Sequence, residues 1–393
     1  MPCTSFYKPL MMTRKPVFTD HPVAVLFSGG DAPGMNAFLR AVTRISLSRH
    51  HVPVVGVRHG YTGLVAASKL DFEPMLAQVE SHIGRWGMIT DGQPLVLMDH
   101  SAVSGIVGTG GTILGSARCL EFHKPEVRAD VIAMLSRLGV RALIVCGGDG
   151  SLAGAQLLAA ESDLRIIGVP ATIDNDLDFT EMALGVDTAV NTLVWAVDHF
   201  KDTARAHRRV MILETMGRGS GELARLAAIA SGAEMVITPD PKKPLTRADM
   251  EAQAASIERG MKAGRSHAIV LIAEGVKVEP EIKRNRAYVL ADAFKEYFER
   301  DGGPFKDLEI RPSVLGHLQR GGHTSPQDCI LAARFAEAAM KEIMCPAGTN
   351  GVTALRGGRV EIVPFNAPPV EGSEERSEAY LLLHKSLSSW EEL

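Results

Sequence analysis

The sequence predicts an α/β protein of two domains, built on mainly parallel sheets covered by helices on both faces. Short apolar runs of strand length alternate with segments of helical period along most of the 393 residues, the pattern of parallel strands joined by crossover helices. The turns after those runs, at 28, 146, 170, 214, 238, 274 and 315, carry Gly, Asp, Glu or Arg, as expected where an open sheet binds ligands beyond the carboxyl ends of its strands. The length gives room for two domains of ordinary size.

Composition narrows the class. Apolar residues make up 46% and charged residues 22% of the chain, a soluble globular balance. A net charge of −4 exerts no general pull on nucleic acid or acidic membranes, so affinity for phosphate has to come from local arginines. The five cysteines, at 3, 119, 146, 329 and 345, form no CxxC and no zinc spacing, which suits a reducing cytoplasm. Met1 to His21 has no apolar run of signal-peptide length, and residues 1–20 are expected to be a loose extension. Runs such as Ala268–Ala273 are far short of a membrane span.

Taken in order, Val23–Phe27 reads as a buried strand, followed by the turn Ser28-Gly-Gly-Asp-Ala-Pro-Gly-Met-Asn36. Helix 36–48 then carries Phe38, Leu39, Val42 and Ile45 on one face. Val52–Val57 is a strand ending in a turn at His59–Gly63, and residues 70–107, around Trp86–Gly92, read as an inserted loop or short elements. Helix 125–138 leads to strand Arg141–Val145, and Leu152–Leu158 reads as helix. Strand Arg165–Val169 precedes a long helix over 183–205. Further strands are expected at Val210–Leu213, Met235–Thr238, Ala268–Ala273 and Leu308–Leu315, with helices over 222–230, 247–262, 286–299 and 327–343. The tail from 366 is acidic and weakly helical.

Two stretches carry the chemistry. Cys146-Gly-Gly-Asp-Gly-Ser151 joins a strand to a helix start, so backbone amides and the helix dipole face an anion. Pro170-Ala-Thr-Ile-Asp-Asn-Asp176 then delivers Thr172, Asp174 and Asp176 at alternate positions, on one side of an extended chain. A phosphate cradle facing clustered carboxylates is equipment for Mg-assisted phosphoryl transfer to a hydroxyl. The dinucleotide pattern G-x-G-x-x-G does not fit, and no Gly-Lys dipeptide occurs, so a P-loop is excluded.

Together with Arg311-Pro-Ser-Val-Leu-Gly-His-Leu-Gln-Arg-Gly-Gly322, these motifs resemble the 6-phosphofructokinase family over about residues 22–345. Asp328 meets the acidic position that follows this signature, with Cys329 where Arg is usual. The resemblance implies two Rossmann-like domains with the active site in the cleft between them. Residues 21–185 plus 319–365 would bind the donor, and 186–318 plus 366–393 the sugar phosphate. It implies Asp174 as general base toward the sugar's 1-hydroxyl, with Thr172, Arg218 and Arg118 as further catalytic groups. Gly30, Arg118, Cys119, Gly148, Asp149, Gly150 and Ser151 would hold the nucleotide, and Asp149 and Asp176 the Mg²⁺. Thr172, Ile173, Asp174, Met216, Gly217, Arg218, Glu274, His317, Leu318, Gln319 and Arg320 would meet the sugar phosphate. Arg209 and Arg311 would reach it from a neighbouring subunit, implying a homodimer or homotetramer in the cytoplasm.

The family divides by phosphoryl donor. Pyrophosphate users carry Asp where this chain has Gly150 and Lys where it has Ala171, and both differences favour ATP. Arg40, Arg44 and Arg265 match effector contacts of the bacterial enzymes, while Ala263 stands where a lysine is expected, so altered allostery is predicted. The competing readings are a pyrophosphate-dependent phosphotransferase, an NAD-kinase-like nucleotide kinase sharing the Gly-Gly-Asp-Gly loop, and a non-catalytic nucleotide sensor.

Overall fold

The computed structural model describes residues 21–71, 73–75, 93–300 and 304–388. The extension expected over 1–20 and the stretch Trp86–Gly92 lie outside these residues. The strands are β1 (Val23–Phe27), β2 (Val54–Val57), β3 (Leu95–Met98), β4 (Ala142–Gly147), β5 (Arg165–Pro170), β6 (Val210–Thr215), β7 (Met235–Ile237), β8 (Leu245–Thr246), β9 (Ala268–Ala273), β10 (Val278–Glu279), β11 (Ile310–Val314), β12 (Gly351–Arg356) and β13 (Arg359–Val363). The α-helices are α1 (Met35–Ile45), α2 (Tyr61–Ser68), α3 (Pro125–Arg137), α4 (Asp149–Glu161), α5 (Val186–His207), α6 (Glu222–Ser231), α7 (Arg247–Lys262), α8 (Arg286–Glu299), α9 (Pro326–Met344) and α10 (Ser373–Ser388).

β1, β4 and β9 are buried along their whole length, as unbroken apolar runs are when helices cover both faces. The first sheet runs β13-β12-β5-β4-β1-β2-β3, parallel from β12 to β2 with an antiparallel strand at each edge. The second runs β11-β6-β9-β7 and is parallel throughout. In the first sheet the chain leaves β1 toward β2 and later builds β4 and β5 on the other side. The crevice at that reversal, above β1 and β4, is the place where open sheets take ligands. One apolar cluster joins Phe27, Phe38, Ile173, Leu193, Leu213 and Phe335, so strands of both sheets share a core. Where the sequence carries a full cap the boundary is sharp: Thr246 Oγ1 accepts from the Asp249 amide at 3.2 Å while Asp249 Oδ2 accepts from the Thr246 amide at 2.9 Å, and α7 starts at Arg247.

Several expectations change. The His59–Gly63 turn is the start of α2, because Gly60 turns the chain tightly against Phe27 and leaves Tyr61 free to begin a helix. Of the two alternatives for 70–107, a short element is present: β3 pairs antiparallel with β2 at the sheet edge. α4 begins at Asp149, inside the glycine turn, so the cradle is the first turn of a helix rather than a loop before one. The hairpin of β12 and β13, which the sequence reading passed over, extends the sheet from β5.

Candidate active site

Above the carboxyl ends of β1 and β4 lies a cavity of about 680 Å³, bordered also by Arg218, which follows β6. Its floor is made of two glycine turns. Gly29, Gly30, Gly148, Asp149, Gly150 and Ser151 all line it. A side chain at Gly30 would come within 2.6 Å of the Arg320 guanidinium, whereas one at Gly150 would meet nothing within 4 Å. Arg320 lies across the first turn and donates to the Asp31 carbonyl at 2.8 Å.

The wall beside the cradle has a sequence cause that the reading missed. Asn36 donates to the carbonyls of Thr109 and Gly110 at 3.2 and 3.1 Å and accepts from the Ile113 amide at 2.8 Å. Ser116 Oγ donates to the Gly29 carbonyl at 2.7 Å. These bonds knit the 108–118 loop to the first turn and bring Arg118 and Cys119 to the cavity. Beyond them the wall is apolar: Tyr61, Leu120, Phe122, Ala153, Gly154 and Leu157, with His123 at the rim. Tyr61 stacks on Phe122 at 4.0 Å and donates its hydroxyl to the Ser151 carbonyl at 2.8 Å, which ties the wall to the cradle. Burial pushes the Tyr61 hydroxyl pKa well up, so it stays a donor.

Beside the cradle, Thr172, Asp174 and Asp176 reach the same cavity. The expected alternation along extended chain is not the reason. Asn175 takes a left-handed turn (φ 48°), held by its Oδ1 accepting from the Ala183 amide at 3.1 Å, and this turn sets the directions of Asp174 and Asp176. Thr172 is held by its amide to the Leu184 carbonyl at 3.1 Å, and its Oγ1 accepts from the Asp174 amide at 3.2 Å. Asp174 is 3% exposed. Its Oδ2 lies 3.3 Å from Arg218 Nε, while Oδ1 has no hydrogen-bond partner among the described residues. Burial raises the Asp174 pKa above the usual carboxylate value; Arg218 and Arg320 offset part of this, and Glu274 adds to it. Partial desolvation also raises Asp176, then the charge of Asp174, with Asp149 contributing. The charges of Asp174 and Asp149 around Asp176 form an environment a cation would relieve. Mg²⁺ fits this donor set, since it takes one or two carboxylates and keeps waters or phosphate oxygens. Asp149 lies in the cradle and Asp176 lines the same cavity, and among the described residues no group of three His, Cys, Asp or Glu side chains is placed to hold a metal ion.

The remaining predicted residues fall into three groups. Arg218 (φ 41°) is exposed, and its amide donates to Glu274 Oε1 at 3.3 Å, so Met216, Gly217, Arg218 and Glu274 sit together at the ends of β6 and β9. His317 and Leu318 are exposed on the 3₁₀ turn Gly316–Arg320. Two of the expected residues are buried. The Ile173 side chain is fully buried in the shared core, and Gln319 is fully buried, accepting from the Met216 amide at 3.2 Å and donating to the Gly316 carbonyl at 3.0 Å. Both side chains face protein, so Gln319 braces the Met216 backbone rather than meeting a ligand. Arg209 and Arg311 both pair with Glu309 along the β6–β11 edge, outside the cavity wall. Arg40 and Arg44 lie on α1. Arg265 pairs with Glu234 at 3.1 Å, and burial pushes its pKa down to about 10.

An α/β chain whose strand ends converge on an anion cradle, facing a buried carboxylate and arginines, is of the phosphate-ligand-binding class that open parallel sheets support. The family model described as Phosphofructokinase matches residues 22–343. The ATP-dependent 6-phosphofructokinase 1 of Clostridium perfringens is 39% identical over 338 residues, 86% of this chain and 90% of that one. The ATP-dependent 6-phosphofructokinase of Macrococcus caseolyticus is 39% identical over 322 residues, 82% and 86% of the two chains. Among solved structures, phosphofructokinase from Saccharomyces cerevisiae superposes with a TM-score of 0.72 at 27% identity, covering 94% of this chain and 47% of that chain, so this chain spans about half of the yeast one. A pyrophosphate-dependent phosphofructokinase from Nitrosospira multiformis, at 18% identity and a TM-score of 0.69, shares the fold. The chain belongs to the phosphofructokinase family.

Proposed function

We propose that the protein transfers the terminal phosphoryl group of ATP to the 1-hydroxyl of fructose 6-phosphate, giving fructose 1,6-bisphosphate. One observation carries this reading: a buried carboxylate, Asp174, lines the same cavity as a glycine cradle at a helix N-terminus and lies 3.3 Å from Arg218. The attacking alcohol gives its proton to Asp174, whose raised pKa makes it a better acceptor than a free aspartate. Thr172 fixes the turn that aims it. Arg118, Arg218 and Arg320, all on the cavity, meet the negative charge of the phosphoryl group as it moves between donor and acceptor. The amides of 148–151 and the α4 dipole hold the donor phosphates. Mg²⁺, when bound by Asp149 and Asp176, would supply charge neutralisation at the phosphates.

ATP as donor is supported by the open space at Gly150 and by the buried, uncharged Ala171, which leave room for an α-phosphate and offer no cation for pyrophosphate. The apolar wall of Tyr61, Leu120, Phe122 and Leu157 suits a base and has no use in holding pyrophosphate. The sugar phosphate lies toward Met216, Glu274 and His317, so the residues 186–318 form its domain and the first sheet the donor's. Arg209 and Arg311 serve the site of a neighbouring subunit in a homo-oligomer, and the protein works in the cytoplasm. Arg40 and Arg44, with Arg265 already paired to Glu234, leave an altered effector response. A coupled assay of fructose 6-phosphate with ATP, and separately with pyrophosphate, tests the reading. Turnover with ATP is expected; turnover with pyrophosphate alone reverses the donor assignment, and none with either removes the activity.

A further inference from the structure

The acidic residue that closes the family-like signature has no place in the chemistry just described. Asp328 is fully buried, yet its carboxylate accepts three hydrogen bonds from another part of the chain. Oδ1 takes the Gly185 amide at 3.0 Å, and Oδ2 takes the Thr188 amide at 2.8 Å and the Thr188 hydroxyl at 2.6 Å. The Asp328 amide donates to Ser325 Oγ at 3.1 Å, and the Ser325 amide donates to Thr188 Oγ1 at 3.0 Å. The N-termini of α5 and α9 thus share one carboxylate, which offsets the positive ends of two dipoles. The residue before α5, Gly185, has no side chain to cap it and sits at φ 102°.

Three segments meet here, and each carries a proposed site residue. Leu184 is laddered to Pro170 and Thr172, its amide donating to the Pro170 carbonyl at 3.0 Å and its carbonyl accepting from Thr172 at 3.1 Å. A side chain at Gly185 would come within 2.9 Å of Ala32 in the first glycine turn. Asp328 itself follows the turn that ends in Arg320, which crosses to Asp31. A shift at Gly185 therefore reaches Thr172, and with it Asp174, through a single residue.

We propose that Asp328 is a positioning residue of the phosphoryl-transfer site, fixing the 171–185 segment against the 28–36 turn and the 316–328 segment. It acts through Gly185 and Thr188 and touches no substrate, and it rests on the proposed activity. Asp328→Asn is nearly the same size but turns an N–H donor toward backbone donors. It is expected to lower kcat about tenfold or more, since small misplacements of reacting groups have effects of that order. The KM values for ATP and fructose 6-phosphate are expected to stay within about threefold, because neither ligand's contacts are removed. More ATP should be hydrolysed per sugar phosphorylated, as a misaimed alcohol yields to water. Thr188→Ser, which keeps the hydroxyl, should behave as the wild type, and Thr188→Val should fall between. A purely structural role would lower the folded fraction and leave kcat per folded site and the hydrolysis-to-transfer ratio unchanged. That result in Asp328→Asn, or in Thr188→Val if the first variant does not fold, overturns the proposal. A wild type inert with ATP and fructose 6-phosphate would instead remove the activity, and this inference with it.

Discussion

At Asp174 folding and chemistry pull in opposite directions. A carboxylate at 3% exposure with one oxygen unpartnered is costly to bury charged, and its raised pKa is the expression of that cost. A group whose pKa rises on folding contributes stability that is complete below the free aspartate value and lost as pH climbs through the raised one. At pH 7, above the free aspartate value, this preference for the protonated form therefore costs stability. Asp174→Asn should raise the thermal midpoint at pH 7 while lowering kcat about 10²–10⁴-fold, the contribution of a positioned base. Differential scanning calorimetry beside the coupled assay checks both, and a lowered midpoint with retained turnover would remove Asp174 from the role. The neighbours set where the acid limb of the pH profile falls. Arg218 holds the pKa down and Glu274 pushes it up. Activity is lost as pH drops through the Asp174 pKa, so Arg218→Ala should move that limb to higher pH and Glu274→Gln to lower pH, in addition to their effects on rate. Shifts in the same direction would mean that another group titrates.

At the scale of elements, α4 connects the phosphate cradle at Asp149 to an ion pair at its far end. Arg128 of α3 is buried, forks onto Glu161 at 2.6 and 2.7 Å, and donates to the carbonyls of Phe122 and His123 at 3.0 and 2.9 Å. It thereby fixes the 3₁₀ turn Leu120–His123, which forms the cavity's apolar wall, against the helix that forms its floor. Arg128→Ala leaves those carbonyls and Glu161 without their donor. It should cost about 1–3 kcal/mol of stability, as for a buried donor removed from two carbonyls and a part-exposed carboxylate. It should also raise KM for ATP several-fold and leave KM for fructose 6-phosphate unchanged. Denaturant unfolding and initial rates measure these, and equal rises in both KM values would show that the turn does not act on the donor side. This wall was illegible in the sequence, because Tyr61, Phe122 and Leu157 look like any core residues until the fold opens a cavity beside them. The cradle and Asp174 were legible, since glycines in a strand–helix turn and clustered carboxylates have few other uses. The burial of Ile173 and Gln319 was not legible, because adjacency in the chain says nothing about which way a side chain points. The β12–β13 hairpin was overlooked because the reading followed strands that alternate with helices, and an antiparallel edge breaks that rhythm.

At the scale of the whole molecule, the odd feature is where Arg209 and Arg311 lie. Both sit on the β6–β11 edge, joined through Glu309, and neither borders the cavity of its own chain. Two arginines held beside one carboxylate keep a net positive charge, and on an exposed edge that charge is available to a second copy. If a neighbour's Arg311 completes the sugar-phosphate site, the two kinds of damage can be separated onto different subunits. Asp174→Asn and Arg311→Ala homo-oligomers should each be nearly inactive, the second through a raised KM for fructose 6-phosphate. Dissociated in mild denaturant and reassembled together, they should regain activity. In a mixed pair one site then receives both defects while the other receives an intact Asp174 and an intact Arg311. Sedimentation velocity of the wild type should show an assembly larger than a monomer under assay conditions. A monomer that turns over fructose 6-phosphate, or hybrids no more active than their parents, would mean that Arg311 does not complete a neighbour's site.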